Sequence, residues 1–388
     1  MSLPLPEDFS PSLSVIRERA KVVFNKTPCL WQLKIAEAFL KHDRDIVCIA
    51  GTGMGKTLSF WLPLLLRPTG IQIVITPLNQ LGRQNVESLR NAGIQSIAIN
   101  AETATRENFR AIENLEYRAI IVSPEQLMKP GGGFEKLLRS PDFVSHIVGF
   151  IFDEAHCIAS WGEFRPEYRE LHRLHYILAH RVPYMITSAT LTPDTLTEIK
   201  KGLHVRTSNL VTVHTSTDRP NIYLCIRKIN HTLSTYADLG FLIPEDHKDG
   251  VPSPVPPKFL IFFDDIQDSI NAAKFLRNRL PPHARDKIKW FNSDMTTEFK
   301  ETEVKALIAG DTWGFCTTES FGMGMDIPDI CLVIQWRASC SLSTIWQRWG
   351  RAARNRDKQG MAILFAEKEY FDDVRETKRQ RQEARKRK

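Results

Sequence analysis

The 388-residue chain contains no Cys-x-x-Cys pair. Its seven cysteines, at positions 29, 48, 157, 225, 316, 331 and 340, are scattered, mostly through apolar strand-like runs. They read as reduced core residues, which excludes a disulfide framework and zinc ligation. No apolar run approaches the ~18 residues that cross a bilayer. The start lacks a charged segment followed by an apolar core and cleavage site, so the expectation is an intracellular protein without a membrane partner. The body also lacks net charge. Eight basic and two acidic residues fall in Val374–Lys388, so +6 of the formal +7 sits in the last fifteen positions. A whole-protein charge argument for nucleic-acid binding is therefore excluded, and local features must carry it.

What is present is length for two α/β domains of ~150 to 180 residues plus ends. Residues 1–24 read as an N-terminal arm with a short helical pattern from Ser12 to Phe24. From Pro28, apolar runs at Asp45–Ala50, Gln72–Thr76, Ser96–Ile99, Ala119–Ser123, His146–Phe152 and Pro183–Thr187 alternate with amphipathic helices. A second alternation follows Thr207, with runs at Ile222–Arg227, Lys258–Phe263, Ile288–Trp290, Gly314–Thr317, Cys331–Gln335 and Met361–Phe365. Strands alternating with long helices imply mostly parallel sheets covered on both faces. The expected organisation is a first domain over 25–207, a second over 208–372 and a basic tail over 373–388. Leu203–Asn221 is the polar connection and Pro244–Pro257 a surface loop. Ligands of such sheets sit beyond the carboxyl ends of the strands, so facing domains would form a cleft.

The chain is organised around Ala50-Gly51-Thr52-Gly53-Met54-Gly55-Lys56-Thr57, which follows an apolar strand and opens a helical pattern running to about Leu66. In a P-loop of this kind the backbone N–H groups turn inward around the phosphates. Lys56 reaches the β- and γ-phosphates, and the Thr57 hydroxyl ligates Mg²⁺. The chain is therefore expected to bind a nucleoside triphosphate. Ile151-Phe152-Asp153-Glu154-Ala155-His156 ends a later apolar run, placing two acids at a strand's carboxyl end. An Asp there can hold the metal and a Glu can polarise the attacking water.

Asp153-Glu154-Ala155-His156-Cys157-Ile158, with Ser160-Trp161-Gly162-Glu163-Phe164-Arg165-Pro166-Glu167-Tyr168 after it, resembles the RecQ branch of the superfamily 2 DNA helicases. The resemblance runs from about residue 24 to 366. The first position of the P-loop, Ala50 in place of Gly, is also the form of helicase-like ATPases. Further matches are Gln32, Thr76-Pro77-Leu78, Ser123-Pro124-Glu125, Ser188-Ala189-Thr190, Asp218-Arg219-Pro220-Asn221, Phe321-Gly322-Met323-Gly324-Met325-Asp326-Ile327-Pro328 and Gln347-Arg348-Trp349-Gly350-Arg351-Ala352-Ala353-Arg354. The resemblance implies two tandem RecA-like domains with ATP between them, DNA-stimulated hydrolysis, and 3′ to 5′ movement on single-stranded DNA with duplex separation. The remaining alternatives are an RNA-directed or non-unwinding translocase and an ATP-gated DNA-binding module.

Roles follow residue by residue from the resemblance. Gln32 would read adenine, Gly324 and Asp326 would lie at the nucleotide with Asp326 on the ribose, and His156 and Gln347 would link the acidic motif to the second domain. Ser188, Ala189 and Thr190 would couple hydrolysis to movement. Arg351 and Arg354, on a helix starting near Ser341, would act as arginine fingers. Thr76, Pro77 and Ser123 would touch the DNA backbone, while Trp161, Phe164 and Arg165 would stack on or bind single strand. The alternative reading of Trp161 and Phe164 is as core aromatics. Departures fall at Cys29, where an arginine is usual, at Glu163 in place of histidine, at Asp326 where Asn is commoner, and at Ala353 in place of glycine. The family's zinc-binding and winged-helix modules have no counterpart after Phe365, so no zinc is expected. The basic end reads as a nuclear signal, a phosphate-binding arm or a solvated tail.

Overall fold

The computed structural model describes residues 12–162, 165–244, 255–321, 327–355, 357–376 and 380, the side chain of Gln80 excepted. The chain divides into two compact units, Met1–Thr217 and Asp218–Lys388.

The first unit opens with α1 (Leu13–Phe24) and α2 (Leu30–Lys41). It continues through β1 (Asp45–Ile49), α3 (Lys56–Trp61), β2 (Ile71–Ile75), α4 (Asn79–Asn91), β3 (Ser96–Ile99) and α5 (Arg106–Glu113). After β4 (Ala119–Val122) come three short helices, α6 (Pro124–Leu127), α7 (Gly133–Arg139) and α8 (Pro141–Ser145), then β5 (Ile147–Phe152) and α9 (His156–Ser160). The unit ends with α10 (Glu167–Glu170), α11 (Leu174–Ile177), β6 (Tyr184–Ser188), α12 (Pro193–Gly202) and β7 (Leu210–His214). The strand order is β3-β4-β2-β5-β6-β1-β7, and every pairing is parallel. Residues of β1, β2, β4, β5 and β6 are buried without a break, as a sheet covered on both faces requires.

Three expectations change here. Residues 13–24 are not a free arm, because Ile16 and Ala20 of α1 are fully buried against Leu33, Ala36 and Leu40 of α2. The first unit does not stop at 207. Leu210–His214 pairs in register with β1, and Asp45, 2% exposed, draws the connecting segment in. Its carboxylate accepts the Arg206 backbone N–H at 2.7 Å and the Arg206 guanidinium at 2.7 and 3.0 Å. The helical pattern after the P-loop breaks at Trp61 and tightens into a 3₁₀ turn over Leu62–Leu65, where Pro63 supplies no N–H for an α-helical bond.

The second unit contains β8 (Ile222–Lys228), β9 (Phe259–Phe262), α13 (Ile266–Asn278), β10 (Ile288–Phe291), α14 (Thr297–Ala309), β11 (Gly314–Thr317), β12 (Leu332–Trp336), α15 (Leu342–Trp349) and β13 (Gly360–Ala366). The order β10-β11-β9-β12-β13-β8 is again all parallel. Alternation along the central strand divides the core. Phe259 and Ile261 pack with Ala272, Ala273 and Leu276 of α13, whereas Leu260 and Phe262 pack with Leu307 of α14 and Ile345 and Trp349 of α15. A strand whose successive side chains feed two separate cores lies in a sheet with helices on both faces. The loop expected over Pro244–Pro257 and the basic tail fall mostly outside the described residues.

Candidate nucleotide and nucleic-acid site

In the first unit the P-loop leaves the carboxyl end of β1. Gly53 and Gly55 adopt φ of +74° and +78°, and Gly55 caps α3, so a side chain at either would strain the turn that aims the loop's N–H groups. Lys56 Nζ donates to the carbonyls of Ala50 at 2.8 Å and Gly51 at 3.3 Å. Gln32, 3% exposed, ties this loop to α2. Its Oε1 accepts the Cys29 N–H at 2.7 Å, and its Nε2 donates to the Gly55 carbonyl at 2.7 Å. The sequence-predicted base reader is therefore also a brace between a helix N-terminus and the phosphate loop.

The acidic motif sits at the carboxyl end of β5, one strand removed from β1 across β6. The Asp153 N–H donates to Ile75 O and the Ala155 N–H to Thr187 O, both at 2.9 Å, so the motif is anchored to the strands on either side. Burial and the neighbouring Glu154 carboxylate push the Asp153 carboxyl up, to about 7, against the pull of Lys56. Glu154 holds φ of +47°, a left-handed conformation that turns it away from the strand direction. His156 Nδ1 lies 3.0 Å from Ser188 Oγ and 3.4 Å from a Glu154 carboxylate oxygen. With the proton on Nδ1 the chain is consistent: Nδ1–H donates to Ser188 Oγ, and Ser188 donates to the Thr190 carbonyl at 3.3 Å. Cys157 Sγ then donates to Nε2 at 3.5 Å. The acid, His156 and the Ser188–Thr190 motif thus form one connected network, with Ala189 buried beside it.

Thr57 is exposed at the start of α3. A hydroxyl and a carboxylate oxygen are the hard donors that Mg²⁺ takes, and a desolvated Asp153 carboxyl crowded by Glu154 is a group that a cation relieves. The residues fit the metal, which Thr57 and Asp153 would hold.

The residues expected at nucleic acid occupy the neighbouring strand ends. Thr76 and Pro77 follow β2 and Ser123 follows β4; all three are buried, and the Thr76 Oγ1 has no hydrogen-bond partner among the described residues. Arg165 gathers these ends together. It donates to Glu125 at 2.6 and 2.5 Å and to the Pro77 carbonyl at 2.7 Å, and its guanidinium lies 5.4 Å from the ring centroids of both Trp161 and Tyr168. Trp161 is half-buried, meeting Tyr168 edge-on at 6.2 Å. Phe164 lies outside the described residues.

In the second unit Gln347 lies on α15, but Arg351 and Arg354 do not share that helix. It ends at Trp349, and both arginines sit in the turn that follows, Arg351 7% exposed. That turn is held by Arg219, which donates to Ala352 O at 3.0 Å and Ala353 O at 2.8 Å, and by Asn221, which donates to Ala353 O at 2.8 Å. Ala353 stands at φ +42°, where glycine would be unstrained. Gly324 and Asp326 fall outside the described residues. Sequence reasoning missed Arg348, 4% exposed, which donates to Asp264 at 2.7 Å, Gln335 at 2.6 Å and Glu319 at 2.9 and 3.1 Å. Its place directly after Gln347 was the available signal.

Comparison with known proteins agrees with this geometry. The DEAD/DEAH box helicase family matches residues 30–199, and the helicase conserved C-terminal domain matches residues 254–356. The chain is 27% identical over 327 residues to the ATP-dependent DNA helicase RecQ of Bacillus subtilis (strain 168), covering 83% of this chain and 51% of that protein. It is 27% identical over 337 residues to the ATP-dependent DNA helicase Q-like 4B of Arabidopsis thaliana, covering 84% of this chain and 27% of that protein. The chain thus spans about half or less of the length of these two relatives. Among solved structures, the DEAD-box helicase Mss116 bound to ssRNA and UDP-BeF aligns with a TM-score of 0.73 at 18% identity, covering 94% of this chain and 75% of that one, which fixes the fold of both units as RecA-like. The chain thus carries a DEAD/DEAH box helicase domain followed by a helicase conserved C-terminal domain, and the relatives that it is similar to are RecQ-type DNA helicases.

Proposed function

We propose that the chain is an ATP-dependent DNA helicase that hydrolyses ATP under stimulation by DNA, moves 3′ to 5′ on single strand and separates duplex. The observation that carries this reading is the network from the phosphate loop to the Ser188–Thr190 motif. Lys56 acts on Asp153, Glu154 faces His156, and His156 bonds Ser188. A change at the nucleotide is thereby passed to loops at the strand ends. Lys56 binds the β- and γ-phosphates, Glu154 accepts the proton of the attacking water, and Gln32 reads the base in exchange for its bond to Gly55. Thr57 and Asp153 would hold Mg²⁺, which when bound would neutralise charge at the phosphates. Arg351 and Arg354 add positive charge that matters most in the transition state.

The test measures ATP turnover with no nucleic acid, single-stranded DNA, duplex DNA and RNA, and strand displacement on duplexes tailed at the 3′ or 5′ end. Stimulation by single-stranded DNA and displacement from the 3′ tail are expected. Lys56→Ala should weaken nucleotide binding, whereas Glu154→Gln should bind ATP and not turn it over. Near-normal turnover by Glu154→Gln overturns the assigned base. Stimulation without displacement makes the chain a non-unwinding translocase, and preference for RNA overturns the DNA assignment.

A further inference from the structure

Beyond the strand-end motifs, the first unit carries a groove of about 710 Å³ between α5 and α7, at the β3–β4 edge of its sheet. Arg106 and Arg110 lie four residues apart on α5, hence on one face of it, while Lys129 and Lys136 line the opposite wall. All four are exposed, and among the described residues none has an ion pair. Exposed cations elsewhere in this unit include some with a carboxylate partner, as in Lys41–Glu37 and Arg139–Glu135, and others without one among the described residues, such as Lys26 and Arg90, so it is the gathering of four in one groove that sets this site apart. The carboxylate nearest in sequence to Lys136 is already engaged, since Glu135 accepts Arg139 and the Gly131 N–H, both at 2.7 Å.

The charge in this groove is ordered along its length. α5 begins just after the carboxyl end of β3, and the segment leading into α7 begins just after the carboxyl end of β4, so Arg106 and Lys129 mark the end nearest the nucleotide-side edge of the sheet. Glu113 and Asp142, from the last residue of α5 and from α8, line the opposite end. The cationic end is also the end next to Ser123-Pro124-Glu125, and Gln126 of that motif's helix lines the groove. The floor suits close approach: the Phe109 ring lies flat on the backbone at Gly133, where a Cβ would come within 2.4 Å of it.

We propose that this groove is an additional binding site for the phosphodiester backbone of a single nucleic-acid strand, continuing the track from the β4 strand-end motif outward along α5 and α7. The inference rests on the helicase reading for its ligand class. Four cations without an ion pair among the described residues, lining both walls of one groove, admit one strand's phosphates, whereas a duplex presents its phosphates on a convex surface that docks on open faces. The two acids repel the strand at the far end and fix where it leaves.

The test compares the full chain with a groove variant (Arg106→Gln, Arg110→Gln, Lys129→Gln, Lys136→Gln) and a control of equal charge loss elsewhere on the same unit (Lys26→Gln, Lys34→Gln, Arg90→Gln, Lys201→Gln). Affinity for a fluorescent single-stranded oligonucleotide is measured between 50 and 200 mM salt, with melting temperature as the folding check. At ~0.7 of a log–log slope unit per phosphate, loss of four contacts makes the wild type lose about 50-fold more affinity than the groove variant across that range. The control should keep the wild-type slope. Equal slopes for all three proteins, or equal loss in both variants, overturn the groove and leave the helicase reading standing. A slope change seen with duplex alone overturns the single-strand assignment. Absence of nucleic-acid binding by the wild type overturns the helicase reading itself, and the groove with it.

Discussion

Replacing Arg348 by methionine should destabilise the second unit by about 3 kcal/mol. The methionine keeps the apolar stem and removes a guanidinium that bonds Asp264, Gln335 and Glu319 and lies 5.3 Å from the centroid of the Phe262 ring. Breaking a fully buried ion pair costs roughly 3–5 kcal/mol, because a charge is left without its partner. Here the side chains of Asp264 and Glu319 are 32% and 41% exposed and regain water, which places the loss at the low end. Gln335 regains none. It is fully buried, and its stranded carbonyl contributes about 1–3 kcal/mol of the total. Because the chain has two units, a single melting curve would blend them. Amide exchange resolves the second unit: about 3 kcal/mol corresponds to exchange of the β9 and β12 amides roughly 100-fold or more faster. Arg348→Lys should fall between, since a single ammonium cannot span three acceptors arranged around a planar fork. Acceleration below tenfold in Arg348→Met would show that the network adds little beyond packing, and would refute the reasoning.

His42, whose ring donates to Ile147 O at 3.1 Å, is held below its usual pKa by burial, so the unfolded chain binds the extra proton first. Its contribution to the first unit is complete above about pH 6.5 and is lost as pH falls through the lower folded value; His42→Gln should flatten the pH dependence of melting between pH 5 and 8, and an unchanged slope would count against it. Ala353→Gly should raise the stability of the second unit by up to about 1 kcal/mol, the left-handed strain minus the extra freedom of glycine in the unfolded chain. A lower denaturant midpoint would mean that the methyl group's packing outweighs that strain. Arg165→Ala should lower the melting temperature of the first unit, because Glu125 and the Pro77 carbonyl both lose a partner. If melting is unchanged while DNA stimulation disappears, the guanidinium serves the strand and not the loops.

The parts of this chain legible in advance are those whose chemistry is written locally. A buried strand followed by Gly53, Gly55 and Lys56 has few conformations open to it, and adjacent acids closing the apolar run at Phe152 mark a strand end without reference to any other segment. The edge strand Leu210–His214 escaped because only one side of it pairs and its residues are half-exposed, so it carries Thr and His among its Val and Leu and reads as linker. The arginine pair was placed on a helix because sequence periodicity runs through Gly350. What ends the helix is a set of bonds from Arg219 and Asn221, more than 130 residues earlier. The contacts of Arg348 and Arg165 were not legible for the same reason: the acceptors that their guanidiniums bond, Asp264 and Pro77, are more than eighty positions away in sequence.

That difference bears on function. Residues that touch the nucleotide are constrained by the ligand's chemistry and so keep a recognisable local spelling, while residues that hold the strand-end loops against one another are constrained only by each other. Arg165 in the first unit and Arg348 in the second do the same work, each fastening several loops at the carboxyl edge of its sheet through a planar fork that reaches more than one acceptor. A loop fastened in this way moves with its neighbours or not at all. Under the helicase reading proposed above, Arg165 would let a shift at the end of β2 reach the end of β4, while the Asp153 N–H, bonded to Ile75 O at 2.9 Å, ties the acidic motif to β2 itself.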